Sequence, residues 1–174
     1  ITARPMGIVD GIDFKHSGVV RKVDTAVIRR TLDMGALVLI SPFGFSPTGE
    51  AFNLAMEEVA TSVAIALKAD KLIFLSEIDG IRVQPFAPEA EDNPIDTELS
   101  LADARRLLAA LPPDKERLAD LNPSAPDFYL RHCVKACVGG VERSHIIPFA
   151  KNGAILQEIY VHDGIGTMVV DEKL

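Results

Sequence analysis

The sequence predicts an α/β protein in which helices cover both faces of a mostly parallel sheet, with a β-hairpin at the sheet edge. Two continuous apolar runs, Gly35–Ile40 and Lys71–Leu75, lack polar alternation, which is typical of strands buried on both faces. Segments with one apolar stripe at helical spacing lie between such runs. Strands that alternate with helices in this way favour a three-layer α/β/α architecture.

In the first half of the chain, the sequence predicts a hairpin and two helices. The predicted hairpin strands are Ile8–Phe14 and Val19–Val23, on either side of His16–Gly18. The predicted helices are Asp24–Asp33 and a segment from about Asn53 to Leu67. Asp24 is a good N-cap for the first helix, and Gly35 is a stop signal just beyond it. The Gly- and Pro-rich segment before the second helix is predicted to be a loop at a helix N-terminus.

In the second half, helix and strand signals continue to alternate. Helix starts are predicted at Ser100–Asp103 and Ser124–Asp127, where a capping residue precedes the helix. The later predicted elements are a strand over Ser144–Ile147, a helix over Ala154–Val161 and a final strand over Thr167–Val170. We therefore expect the chain to close its sheet near its last residues.

Composition restricts the classes of partner. The 174 residues include 18 Lys and Arg against 25 Asp and Glu, a formal charge of −7, which argues against a nucleic-acid or anionic-membrane surface. No apolar run reaches the roughly 18 residues of a membrane span. Two cysteines suit a reducing compartment, so we expect a cytoplasmic protein with a small-molecule ligand. The chain begins with Ile1, and we expect it to be a piece of a longer polypeptide.

Two loops are candidate ligand sites, because loops beyond strand ends and helix N-termini bind ligands in open α/β sheets. In the segment from Ser41 to Asn53, small residues and neutral hydrogen-bonding groups suit a ligand, although a tight connection without a ligand explains them equally well. The second loop is Asp163–Thr167, in which two glycines can direct N–H groups at a carboxylate. A strand follows it, which excludes a dinucleotide-binding fingerprint.

Other polar residues carry weak signals by themselves. Cys133 and Cys137 share one predicted helix, and no second pair completes a zinc site, so we interpret them as core residues and expect no metal. Taken as isolated residues, His145 and Glu158 are a surface histidine and a helix-face glutamate. The absence of a G-x-S-x-G motif removes support for a hydrolase triad.

The chain resembles the C-terminal half of the amino-acid-kinase-like domain of bacterial N-acetylglutamate synthases. The segments that carry the resemblance occur in family order: Thr2–Pro5, Gly11–Gly18, Val20–Asp24, Ser41–Glu50, Phe52–Asn53, Val59–Ala60, Ala69–Leu72 and Gly164–Met168. The resemblance implies the C-terminal lobe of a carbamate-kinase-like fold. The expected domain is 1–174, a partial kinase-like domain without its N-terminal half.

The resemblance also implies a function. These synthases transfer acetyl from acetyl-CoA to L-glutamate in the first step of arginine biosynthesis, in a GNAT acetyltransferase domain that follows the kinase-like domain. This chain is therefore expected to be non-catalytic, to hold no cofactor, to bind the inhibitor L-arginine and to belong to a homo-oligomer. The residues implied for arginine are His145, Glu158, Gly164 and Gly166. The residues implied for a vestigial nucleotide or substrate loop are Ser41, Gly44, Ser46 and Asn53.

An active N-acetylglutamate kinase that uses ATP is the alternative. The resemblance argues against it at two places, since Ala55 and Glu57 stand where the kinases have Asn and Asp, and a lysine of the kinases falls on Tyr129. Phosphoryl transfer needs fixed positive charge near the transferred group. The regulatory interpretation is therefore preferred to the kinase interpretation.

Overall fold

A computed structural model describes residues 1–84, 92–110, 125–161 and 164–171 of the chain. The chain divides into two compact units, Ile1–Ala69 and Asp70–Leu174. Among the described residues, no helix combines the length and the apolar character needed to cross a membrane.

The first unit contains six strands and two helices within its described residues. They are β1 Thr2–Pro5, β2 Ile8–Val9, β3 Ile12–Asp13, β4 Gly18–Lys22, α1 Thr25–Asp33, β5 Phe43–Phe45, β6 Ala51–Asn53 and α2 Met56–Leu67. The main sheet has the order β4-β1-β5-β6, in which β1 is parallel to β5 and the other neighbours are antiparallel. Its core is a cluster of Ala3, Phe52, Leu54 and Val59.

The predicted edge hairpin forms with a different pairing. Strand β4 is at the sheet edge, as expected, but its antiparallel partner is β1. The segment that was predicted to pair with it folds on itself as the separate β2–β3 ribbon. Gly11, with a φ of +81°, supplies the turn in that ribbon, which is a conformation that favours glycine.

The predicted strand over Gly35–Ile40 is wrong for the described structure, in which no strand spans these residues. Leu37 and Leu39 are 89% and 92% exposed, while Ile40 packs against the core cluster. The alternation of outward and half-buried side chains is strand-like, but a strand also needs a hydrogen-bonded neighbour, and none pairs with this segment among the described residues. Helix α1 forms as predicted, and Asp24 caps it by accepting a hydrogen bond from the N–H of Val27.

The second unit contains four strands and three helices within its described residues. They are β7 Lys71–Ser76, β8 Glu98–Ser100, α3 Leu101–Ala109, α4 Pro126–Val138, β9 Arg143–Pro148, α5 Ala154–Tyr160 and β10 Thr167–Val170. The sheet order is β7-β9-β10-β8, with β7 parallel to β9, β8 parallel to β10, and β9 antiparallel to β10. Both sheets are therefore mixed, where a mostly parallel sheet was expected.

Helices cover both faces of this second sheet. Successive side chains of a strand point to opposite faces. On β9, Ser144 contacts Cys137 of α4, and the next residue, His145, contacts Glu158 of α5. Helices α4 and α5 therefore lie on opposite faces, which gives this unit the predicted three layers.

Most elements of the second unit were predicted with small errors at their ends. The final strand and the capped start of α3 are confirmed, with Ser100 Oγ accepting a hydrogen bond from the Asp103 N–H. Helix α4 is confirmed as an element, but its predicted first residue, Ser124, lies outside the described residues. Strand β8 was not predicted, because three residues carry too little periodicity to be recognised.

Candidate functional site

The candidate site in the second unit lies between strand β9 and helix α5. Strand β9 has neighbours on both sides, with His145 opposite Ile73 of β7 and Met168 of β10. These two ladders fix the backbone of His145, and its side chain is only 4% exposed. The sheet therefore presents one imidazole, in a fixed position, to the helix above it.

Helix α5 supplies a carboxylate on its buried face. Ala154 and Glu158 are four residues apart and share that face, with Ala154 buried and the Glu158 side chain only 5% exposed. The outward residues of the helix are apolar and at least 43% exposed: Ile155, Leu156, Ile159 and Tyr160. The helix thus points its one charged side chain inward, against the usual amphipathic arrangement.

Glu158 is held by two hydrogen bonds. Its Oε1 lies 2.6 Å from Nδ1 of His145, and its Oε2 accepts a hydrogen bond from the N–H of Ile165 at 2.8 Å. Ile165 stands between Gly164 and Gly166 in the turn that leads into β10. The turn, the strand and the helix therefore converge on a single carboxylate.

Both glycines of the turn have close neighbours. A Cβ at Gly164 would lie 2.8 Å from Oε2 of Glu158, so a larger residue would push the carboxylate. A Cβ at Gly166 would lie 2.0 Å from the carbonyl oxygen of Ile146, where only backbone could give way. Gly164 thus admits the carboxylate, and Gly166 allows β10 to approach β9.

Burial is the largest influence on the pKa of His145. Desolvation lowers the pKa of His145, and the charges of Lys71 and Arg143 lower it further, while the hydrogen bond and charge of Glu158 act in the opposite direction. The net direction favours the neutral imidazole. Nε2 of His145 is buried and has no hydrogen-bond partner within the described part of the chain.

The expected arginine residues are therefore brought together by the structure. His145 and Glu158 are in direct contact, Gly164 abuts the carboxylate, and Gly166 permits the strand pairing behind it. Sequence reasoning missed Ile165, which contributes only its backbone N–H. Its position between two glycines was the one available signal for it.

The second candidate, from Ser41 to Asn53, is a β-hairpin. Strands β5 and β6 pair antiparallel, and Ser46 Oγ accepts a hydrogen bond from the N–H of Glu50 and lies 2.8 Å from Oγ1 of Thr48. Helix α2 starts later than expected, at Met56, and its N-cap residue Ala55 provides no side-chain bond. The turn is thus closed by its own polar groups and belongs to a hairpin, where a loop at a helix N-terminus was predicted.

The remaining residues of this loop also have local partners. A Cβ at Gly44 would lie 2.7 Å from the Cβ of Ala3, so packing against β1 accounts for the glycine. The N–H of Asn53 donates to the carbonyl of His16, and the carbonyl of Ser41 accepts from the N–H of Phe43. The contacts of Gly44 and Asn53 thus join this hairpin to other segments of the first unit.

The two cysteines lie in the core, as predicted. Cys133 and Cys137 are both free thiols and are buried, and burial raises the pKa of each. Over the described ranges, no group of three or more His, Cys, Asp and Glu side chains is placed to hold a metal ion. A buried thiol with a raised pKa is a poor nucleophile.

Curated relatives match nearly the whole of this chain. The amino-acid acetyltransferase of Ralstonia nicotianae is 50% identical over 170 residues, which are 97% of this chain and 34% of that protein. The amino-acid acetyltransferase of Aeromonas salmonicida is 45% identical over 173 residues, which are 99% of this chain and 36% of that protein. The chain thus spans about a third of the length of the curated relatives it matches.

Two solved structures are similar in fold to this chain. N-acetylglutamate synthase from Neisseria gonorrhoeae, complexed with coenzyme A and L-arginine, matches with a TM-score of 0.80 and 37% identity, covering 97% of this chain and 36% of that one. Carbamate kinase from Giardia lamblia bound to AMP-PNP matches with a TM-score of 0.62 and 15% identity, covering 90% of this chain and 47% of that one. The second likeness is one of fold.

The sequence motifs, the mixed sheets covered by helices and the structural neighbours all indicate one fold family. The model of the amino acid kinase family matches residues 1–148, a range that runs from β1 to the end of β9. The chain belongs to the amino acid kinase family.

Proposed function

We propose that this chain is the L-arginine-binding regulatory part of an N-acetylglutamate synthase. The observation that carries the proposal is the buried carboxylate of Glu158, which the Ile165 N–H and His145 hold in one orientation. A guanidinium is planar and presents paired N–H donors, so a carboxylate of fixed orientation is its natural partner. The relatives named amino-acid acetyltransferase and the synthase complexed with L-arginine support the same assignment.

The electrostatics of the site favour a cationic ligand. Removing a carboxylate from water is costly unless a cation or several hydrogen bonds compensate it. In the described part of the chain, the Glu158 carboxylate contacts the imidazole of His145, whose lowered pKa favours the neutral ring over a compensating cation. Each carboxylate oxygen accepts about two hydrogen bonds, and one bond to each oxygen is already made. A guanidinium would supply both the charge and the further donors.

Calorimetry with L-arginine tests the proposal on the chain itself. We expect saturable binding that Glu158→Gln weakens by about tenfold or more, since that substitution removes the charge and keeps the shape. Glu142→Gln removes the same charge at an exposed position of the same unit and is the matched control. L-citrulline, in which a neutral ureido group replaces the guanidinium, should bind far more weakly. No binding of arginine, or equal binding by both variants, would contradict the proposal.

The activity of the complete protein is part of the proposal. We propose that the parent polypeptide transfers acetyl from acetyl-CoA to L-glutamate in a GNAT acetyltransferase domain, that it is cytoplasmic and homo-oligomeric, and that this chain regulates it without taking part in catalysis. Regulation requires arginine to have different affinities for two states of the parent. The test is acetyl transfer by the parent with and without arginine, in which Glu158→Gln should reduce the inhibited fraction. Light scattering tests the oligomer, and a monomer at high concentration would contradict it.

Kinase activity is the second candidate, because the chain belongs to a family named for amino acid kinases. Tyr129, where the resemblance places a kinase lysine, is buried and packs on Phe74 with ring centroids 5.5 Å apart. An aromatic residue there supplies no fixed positive charge for phosphoryl transfer. ADP formation from ATP and N-acetyl-L-glutamate by the parent would support the kinase, and it should be absent.

A further inference from the structure

The two ring nitrogens of His145 have different surroundings. Nδ1 lies 2.6 Å from Oε1 of Glu158, whereas Nε2 is buried and has no hydrogen-bond partner among the described residues. A carboxylate only accepts hydrogen bonds, so the nitrogen beside it carries the hydrogen. The neutral ring then has its proton on Nδ1 and a bare lone pair on Nε2. A bond to the neighbouring group fixes the tautomer of a histidine in this way.

We propose that His145 is a positioning residue: its Nδ1–H holds the Glu158 carboxylate in the orientation that receives a guanidinium, and its Nε2 does not touch the ligand. The inference rests on the proposed arginine site and changes one role within it. The family resemblance implied His145 as a contact to arginine. The structure assigns it to the carboxylate instead.

Three observations support the positioning role. The backbone of His145 is fixed, because its strand is paired on both sides, with Ile73 and with Met168. The carboxylate is fixed from the other side by the Ile165 N–H, at 2.8 Å from Oε2. Nδ1 is the ring nitrogen that faces the carboxylate, at 2.6 Å from Oε1, whereas Nε2 is buried without a hydrogen-bond partner among the described residues. One oxygen is therefore held by the ring and the other by the turn.

The charges around the ring agree with a neutral donor. The groups that act on His145 are Glu158 on α5, Lys71 on β7 and Arg143 on its own strand, and burial is the largest influence, lowering its pKa. A neutral ring adds no positive charge beside the ligand. An imidazolium at this position would repel a guanidinium and would itself neutralise the carboxylate.

Two near-isosteric substitutions separate the two nitrogens. In His145→Asn the amide nitrogen replaces Nδ1, and in His145→Gln it reaches toward the position of Nε2. We expect the asparagine variant to bind L-arginine within about threefold of the unsubstituted chain. We expect the glutamine variant to bind about tenfold more weakly or worse, which is the usual size of a lost charge-assisted hydrogen bond. Thermal unfolding of both variants measures any general loss of structure.

The contrary outcomes each overturn the proposal. If His145→Gln keeps its affinity for L-arginine and His145→Asn loses it, Nε2 contacts the ligand. If both variants fold and lose affinity equally, binding needs the whole imidazole ring. If both keep their affinity, His145 has no role in binding. Each of these results presupposes that the unsubstituted chain binds arginine, so they are distinct from failure of the proposed function.

A second measurement needs neither arginine nor a variant that folds. The ¹⁵N shifts of the imidazole nitrogens in the uniformly labelled chain report which nitrogen carries the proton. We expect the Nδ1–H tautomer for His145 at neutral pH. An Nε2–H tautomer would overturn the inference even if arginine binds, and an Nδ1–H tautomer without arginine binding would contradict only the proposed function.

Discussion

The fit between Gly164 and Glu158 gives a quantitative prediction. Gly164 has no positive φ, so its backbone accepts alanine without strain. The new Cβ would lie 2.8 Å from Oε2 of Glu158, whereas ordinary contacts begin near 3.4 Å, so the carboxylate must retreat by 3.4 − 2.8 = 0.6 Å. A retreat of that size would stretch the Ile165 bond beyond a good hydrogen-bond length. We expect Gly164→Ala to lower the free energy of unfolding by about 1.5–3 kcal/mol, the usual contribution of such a bond.

A double-mutant cycle tests this reason for the glycine. In a Glu158→Ala background the carboxylate is gone, and we expect Gly164→Ala to change the free energy of unfolding by less than about 0.5 kcal/mol. The measurement is urea unfolding of the four proteins at neutral pH. Gly44→Ala is the control, because its clash is with Ala3 and Leu54, so its cost should be equal in both backgrounds. An equal cost of Gly164→Ala in both backgrounds would refute the argument.

Three further predictions concern the same unit. Gly166→Ala should lower the free energy of unfolding by about 3 kcal/mol or more, or prevent folding, because its Cβ would clash with the Ile146 backbone. Urea unfolding measures this loss, and a loss under about 1 kcal/mol would contradict the prediction. Burial, followed by the charge of Lys135, lowers the pKa of His132 from 6.5 to about 4, so the unfolded chain binds more protons between these values. The stability that His132 contributes is then fully present above pH 6.5 and is lost toward pH 4, by at most about 3 kcal/mol. Between about pH 7.5 and 4.5, the free energy of unfolding should therefore fall less steeply with pH in His132→Gln than in the unsubstituted chain. An unchanged slope would contradict this prediction. Cys133 and Cys137 should react with a thiol reagent only in denaturant, whereas rapid reaction of the native chain would show that they are accessible.

The sequence predicted best those elements whose ends are set by residues close to them in the chain. Asp24 caps α1, Ser100 caps α3 and Gly35 ends a helix, and each of these roles depends on residues within a few positions. Strand pairing depends on distant residues, and there the predictions were weaker. The run Gly35–Ile40 has the composition of a buried strand, yet no described strand pairs with it and Leu39 is 92% exposed.

The candidate site was predicted in part for the same reason. As isolated residues, His145 and Glu158 suggested nothing, since thirteen positions separate them and each has a common structural explanation. The family resemblance brought them together, and the structure places their side chains in contact. The role of Ile165 could not be predicted from side-chain chemistry, because its contribution is a backbone N–H.

The orientation of α5 shows why hydrophobic patterning fails at this site. Four of its seven residues are exposed apolar side chains, so burial of apolar surface alone would turn that face inward. The observed orientation buries Ala154 and the Glu158 carboxylate instead, and the two hydrogen bonds of that carboxylate fix the rotation of the helix. The bonds that hold the Glu158 carboxylate thus also orient the helix. Loss of either bond would therefore act directly on the position of α5, so a change at this buried carboxylate can reach the surface of the protein.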